Sequence, residues 1–160
     1  MIMQDPIRIP IESYFFVITG KPRVQKNDLV IYFRNPKLKT GAFVGHTKGL
    51  SVARDRLSSV MFEQFKKQGG RLPIGYPVEV DFVFYVDSAH EPDLDNLPAI
   101  VCDALQGISV KGTKLRVASV LENDRLICKV KARRITKGDI NYVGEPRTEL
   151  TVRRFLGSRA

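Results

Sequence analysis

The chain has only two cysteines, Cys102 and Cys128, among 160 residues. Two are too few for a disulfide framework, and they lack the spacing of a metal site. Both read as small buried side chains in a reducing cytoplasm. No apolar run approaches the ~20 residues that a membrane span needs. The opening stretch, M-I-M-Q-D-P-I-R-I-P, has no basic head leading into an apolar segment, so a secretory signal is not expected. There is no internal repeat, no low-complexity segment, no phosphate-cradling glycine loop and no Ser/His/Asp order. What is left is one globular domain over residues 1–160, long enough to bury a core of its own.

A more informative absence is local. Residues 72–110 contain no Lys or Arg, in a chain of net charge +9. That window holds seven acids: Glu79, Asp81, Asp87, Glu91, Asp93, Asp95 and Asp103. Outside it, 26 bases stand against ten acids. A basic body around an acidic centre points to a polyanionic partner with a cation held between the two. The plainer alternative is a solvated acidic strand and helix.

The periodicities predict an α+β fold, a mixed β-sheet with two main helices packed on one face. Residues 11–19 and 28–33 are apolar, β-rich runs, and residues 34–49 form a basic, glycine-containing loop or loose hairpin. Ser51 is placed to cap a helix over residues 52–68, with Leu57, Val60, Met61 and Phe65 on one face and Gly69-Gly70 as its stop. V-E-V-D-F-V-F-Y-V, residues 78–86, alternates as a strand. Asp95 or Asn96 opens a second helix over about 96–106, with Pro98 in its first turn and Leu97, Ile100, Val101 and Leu105 as its buried stripe. Residues 108–121 look extended near their end. Residues 125–135 alternate with bases at 129, 131 and 133, and residues 147–155 make a last strand.

The chemistry concentrates in E-P-D-L-D-N-L-P-A-I-V-C-D-A-L-Q-G, residues 91–107. If the backbone is extended there, the Asp93 and Asp95 carboxylates share one side, roughly 7 Å apart along the chain. Oxygen-only ligands favour Mg²⁺ or Mn²⁺, the ions that serve phosphodiester hydrolysis. A divalent ion also turns an acidic island from repelling phosphate to attracting it. Asp95 is equally well placed to cap the helix. Asp103 lies eight residues further on, roughly 12 Å along a helix axis, and fits a supporting role better than a share of the same ion. A third ligand is sought in E-N-D, residues 122–124, with Asp124 the first choice and Glu122 the competitor; a strand starting there and lying beside residues 78–86 would bring Asp124 to Asp93.

The bases most favourably placed for nucleic acid are Lys21, Arg23, Lys26, Arg34 and Lys48 in the N-terminal part, with Lys37 and Lys39 beside them, and a second group at Lys129, Lys131, Arg133, Arg134 and Lys137. No base-reading motif is visible, which suits recognition of shape rather than sequence. Tyr32, Phe33 and above all Phe43 are candidate wedges but serve more simply as packing anchors. His46 reads as an ordinary loop histidine. His90 is a weak general-base candidate.

These residues resemble a known family. D-L-D-N-L followed by D-A-L-Q-G at residues 103–107, with the acidic pair Glu122 and Asp124 before R-L-I later in the chain, is similar to the RusA-type Holliday-junction resolvases, often prophage-encoded. The upstream I-T-G-K-P-R-V-Q-K-N, residues 18–27, resembles that family's early glycine-proline-basic segment. The resemblance implies a cytoplasmic homodimeric endonuclease of DNA recombination and repair that cuts four-way junctions by paired, Mg²⁺-dependent incisions, Mn²⁺ substituting. It assigns the essential carboxylates to Asp93, Asp95 and Asp124. Two departures stand out. The family's lysine four residues after the second aspartate is Ala99 here, with Lys111, Lys114 or Arg125 as substitutes. Where the family often has two consecutive aspartates, this chain has Asn123-Asp124. The segment 108–121 is also longer than the family leads one to expect, room for an extra hairpin. A non-catalytic branched-DNA-binding module, or a nuclease of flaps and other branched DNA, are the alternatives.

Overall fold

In the computed structural model, the residues described are 13–22, 29–35, 37–46, 48–87 and 94–157. In chain order the elements are β1 (Ser13–Thr19), β2 (Leu29–Asn35), β3 (Thr40–His46), α1 (Lys48–Lys67), β4 (Val78–Val86), α2 (Pro98–Leu105), β5 (Ile108–Ser109), β6 (Arg116–Val117), β7 (Ile127–Thr136) and β8 (Arg147–Arg154). Four strands form the main sheet in the order β1-β8-β4-β7. β8 runs antiparallel to both β1 and β4, whereas β4 and β7 are parallel. The mixed sheet with two helices is the α+β architecture that the periodicities predict.

Strict alternation decides which face is covered. Val78, Val80, Phe82, Phe84 and Val86 of β4 are all buried, and Leu150 and Val152 of β8 and Phe16 and Ile18 of β1 join them. Leu50, Met61 and Phe65 of α1 and Ile100, Val101, Ala104 and Leu105 of α2 complete the same core. Ser58, fully buried on α1, donates to the Ala104 carbonyl at 2.8 Å and so ties the two helices together.

α1 begins at Lys48, one turn earlier than the Ser51 cap predicts. The cause is Leu50, which is 1% exposed; extending the helix carries it into the stripe continued by Leu57 and Met61. The end agrees with expectation and has a clear mechanism. Gly69 sits at φ +93°, its N–H bonds the Lys66 carbonyl, and the Gly70 N–H reaches back to the Phe65 carbonyl at 2.9 Å. This is the double bond of a Schellman stop, which needs a residue tolerant of the left-handed region.

α1 has a second task. β1 is an edge strand of the main sheet, and among the described residues its outer N–H and C=O groups have no strand partner. Gln64 donates to the Val17 carbonyl at 2.8 Å and accepts from the Val17 N–H at 2.9 Å. Gln68, one turn on, does the same for Phe15, both bonds at 2.8 Å. Two side-chain amides spaced i, i+4 thus mimic a strand and close the edge.

The described part of residues 34–49 divides between the end of β2, the turn at residues 37–39, β3 and the start of α1, with Lys39 in the left-handed region at φ +51°. The 108–121 segment is the short β5–β6 hairpin. The cysteines depart from expectation. Cys102 is only half-buried and Cys128 is exposed at the start of β7, an edge strand of the main sheet, both as free thiols. Among the described residues no helix is long and apolar enough to cross a membrane.

Candidate functional site

Asp95 lies in a 3-10 turn, Leu94–Asn96, that precedes α2. The cap of α2 is neither Asp95 nor Asn96 but Leu97, at φ −72°, ψ −38°, with no side-chain hydrogen bond. Two residues account for this correction. Pro98 at the first helical position removes one N–H that a cap would otherwise serve. Leu97 is 1% exposed, so its burial holds the preceding backbone in a helical conformation. The Asp95 carboxylate is therefore released from capping. It is exposed, and among the described residues it has no hydrogen-bond or ion-pair partner.

The second acidic segment divides its labour. Asn123 is extended, at φ −157°, and its Oδ1 accepts the Arg125 N–H at 2.9 Å, capping the 3-10 turn Asp124–Leu126. The asparagine thus does the local structural work, and the half-buried Asp124 carboxylate has no hydrogen-bond partner among the described residues. Glu122 points elsewhere: a Cβ on Gly75 would sit 3.1 Å from its carboxylate, so it lies over the loop before β4. Asp124 instead acts on α2. Burial pushes the Cys102 thiol up to about 12, with Asp103 and then Asp124 adding to the shift.

The parallel pairing of β4 with β7 fixes where these groups meet. Ile127 pairs with Val78, so Asp124 stands beside the start of β4 rather than its end. Asp95, Ala99 and Cys102 line one open groove together with Val130 and Ala132 of β7. Asp95 flanks this α2–β7 groove from the start of α2, and Asp124 approaches Cys102 from the start of β7. Asp93, Glu91 and His90 lie outside the described residues. Among the described residues no group of three His, Cys, Asp or Glu side chains could hold a metal ion. Of the three carboxylates named from sequence, Asp95 and Asp124 are the two the structure describes. Both are unpartnered oxygen donors of the kind a hard divalent cation takes. Asp103 is half-buried in α2.

Part of the acidic window has nothing to do with this groove. Glu79 and Asp81 project from the other face of β4, where Arg153 of β8 bonds both carboxylates and Lys129 Nζ lies 3.8 Å from Glu79. The Arg153 hydrogen bond holds the Glu79 carboxyl below its ordinary value, against a smaller opposing push from burial and with further help from the Arg153, Lys129 and Lys131 charges. These cross-strand pairs were invisible until strand order was known. Nearby, Arg147 stacks on Tyr85 at 3.6 Å from the ring centre and donates to the Val143 and Glu145 carbonyls, pinning the loop into β8.

The bases are distributed around these features. Lys21 Nζ is 3.9 Å from Asp87. Arg34, Lys37, Lys39, Lys48 and Arg125 are exposed, as are Lys111 and Lys114 on the β5–β6 hairpin. Lys129, Lys131 and Arg133 are exposed on β7, Lys129 and Lys131 directly opposite Glu79 and Asp81. Arg23 and Lys26 lie outside the described residues, and so do the side chains of Tyr32 and His46. Phe33 and Phe43 are exposed on the β2–β3 hairpin, 36% and 48% respectively, so neither is a core anchor. Ala99 is exposed in the groove wall, one turn after Asp95, and brings no charge there. No family model and no curated protein matches this chain.

Proposed function

We propose that this chain is a RusA-like, Mg²⁺-dependent endonuclease that resolves four-way DNA junctions as a homodimer, in recombination and repair. The observation that carries the reading is the Asp95 carboxylate: it precedes α2, caps nothing, and lines an open groove shared with Cys102, the thiol on which the Asp124 charge also acts. An acid kept free in a basic protein is most simply explained by a cation that it shares with a phosphate. Asp93, Asp95 and Asp124 would hold Mg²⁺, or Mn²⁺ in its place. Bound there, the ion supplies positive charge at the scissile phosphate and a water of lowered pKa. The protein's own part is orientation: α2 holds Asp95, the Asn123 cap fixes the turn bearing Asp124, and Arg125, Lys111 and Lys114 draw in the phosphate backbone. Two-fold symmetry suits a substrate with two equivalent cuts.

The test is cleavage of labelled four-way junction and linear duplex, with Mg²⁺, with Mn²⁺ and with chelator. Asp95→Asn is expected to lower cutting by at least 100-fold, the scale of losing a catalytic electrostatic contact, while its melting temperature stays within about 1 °C of wild type because the side chain is exposed and unbonded. Linear duplex cut as well as the junction, or full activity in the variant, would sink the reading. Ala99 in the groove wall favours the second reading, a junction-binding protein without cleavage; its signature is salt-sensitive junction binding with no product in either metal.

A further inference from the structure

Away from the carboxylates, a cavity of about 260 Å³ opens between α1, α2 and the adjoining ends of β1 and β8. Its walls are mostly apolar, from Ile18, Leu57, Val60, Phe84 and Val101. This is why Leu57 and Val60, on the buried stripe of α1, are only half-buried. Close-packed interiors leave few voids larger than a water molecule, and apolar hollows with a few polar groups are characteristic of ligand sites; this one lies just below the usual size of a site for a drug-sized ligand. Two features define what it would take. Thr148 is 3% exposed, lines the cavity, and its hydroxyl has no hydrogen-bond partner among the described residues. Lys21 and Arg56, both exposed, line the same opening, and none of the described residues lining it is acidic; the Asp87 carboxylate stands beside it, 3.9 Å from Lys21 Nζ.

We infer that this cavity receives an unpaired nucleotide of the DNA, with the base inside and its phosphate between Lys21 and Arg56. The inference rests on the branched-DNA reading and adds to it a second contact that is separate from the carboxylates. A base has the required combination: a flat apolar body, an edge that can satisfy the Thr148 hydroxyl, and an anion at one end for the two cations. A fatty-acyl carboxylate would leave that hydroxyl unsatisfied in an apolar site, which is unfavourable.

The experiment uses a duplex with one unpaired 2-aminopurine, titrated with the full chain in chelator. The chain has no tryptophan to interfere. Emission is expected to rise on binding as the base leaves its stack. Ala53→Phe or Val60→Phe, each filling the cavity from α1 and each shown by circular dichroism to melt as wild type, should bind the duplex and leave emission at the free-DNA value. Arg56→Ala should weaken binding about tenfold, the scale of one charged hydrogen bond. The inference is overturned by an unchanged emission at saturation, by a rise that survives both filling variants, by no binding at all, or by competition from octanoate but not from thymidine monophosphate. Junction cutting in Mg²⁺ is scored on the same preparation. Cutting without the rise removes the cavity's role and keeps the nuclease; the rise without cutting does the reverse.

Discussion

Replacing Gln64 with leucine isolates the device that closes the edge of β1. Leucine and glutamine have nearly equal helix propensity, so α1 itself is unaffected. The Gln64 amide makes two bonds, at 2.8 and 2.9 Å, to the Val17 carbonyl and N–H in a half-buried setting. Each is worth about 1 kcal/mol net, and strand groups left unpaired under an apolar side chain add desolvation cost, so the loss should be about 2–3 kcal/mol. Gln68 makes the same pair of bonds to Phe15 where water has access; Gln68→Leu should cost less than about 1 kcal/mol. Gln64→Glu keeps the acceptor but sets an oxygen against the Val17 carbonyl, so it should be at least as harmful as leucine near neutral pH. The assay is equilibrium urea unfolding, read as a shift in midpoint at constant slope. A Gln64→Leu loss below about 0.5 kcal/mol, or a larger loss for Gln68→Leu, would refute the idea that the two amides stand in for a strand.

Three further outcomes follow from named contacts. Gly70→Ala would put a Cβ 2.5 Å from the Phe65 ring, which is 1% exposed; a loss of about 1–3 kcal/mol by the same unfolding assay is expected for such overpacking. Glu79 titrates below its ordinary 4.5 because Arg153 bonds it, so its contribution to stability is complete above about pH 4.5 and is lost as pH falls through the lowered value. Arg153→Met should remove that part of the acid limb in a plot of melting temperature against pH; an unchanged limb would contradict the pairing. Cys128 is exposed while the Cys102 thiol is pushed up to about 12, so a disulfide reagent at pH 8 should find one fast thiol in the native chain, absent in Cys128→Ser, and the second only after unfolding.

What sequence made legible was whatever depends on local pattern. β4 alternates over its whole length, and α2 carries its apolar stripe at helical spacing, so both are placed to within a residue or two. Boundaries failed where a distant surface decided them. Leu50 lengthens α1 because the core has room for it, and Leu97 displaces the expected Asp95 cap because it is buried. The acidic window looked uniform in sequence yet serves two faces, since only the β8–β4–β7 order reveals that Glu79 and Asp81 meet Arg153 and Lys129. Glu122 and Asp124, two residues apart, separate only in three dimensions: Glu122 lies over Gly75, and the Asp124 charge acts on Cys102 of α2.

The edge closure of β1 takes on another meaning when the order of synthesis is considered. β1 is the first strand of the main sheet to be made, and β8, its only strand partner among the described residues, is the last: Ser13 pairs with Arg153 and Thr19 with Arg147. β4 likewise waits for β7 and β8. The main sheet cannot assemble until most of the chain has been translated, which is the long-range topology that folds slowly and leaves strands open to misassociation. Gln64 and Gln68 arrive much earlier. Between the emergence of α1 and that of β8 there is an interval on the order of ten seconds at ordinary elongation rates. Through that interval α1 can hold β1 extended by its backbone, a provisional strand supplied by a helix. Its amides remain in place when β8 arrives at the opposite edge.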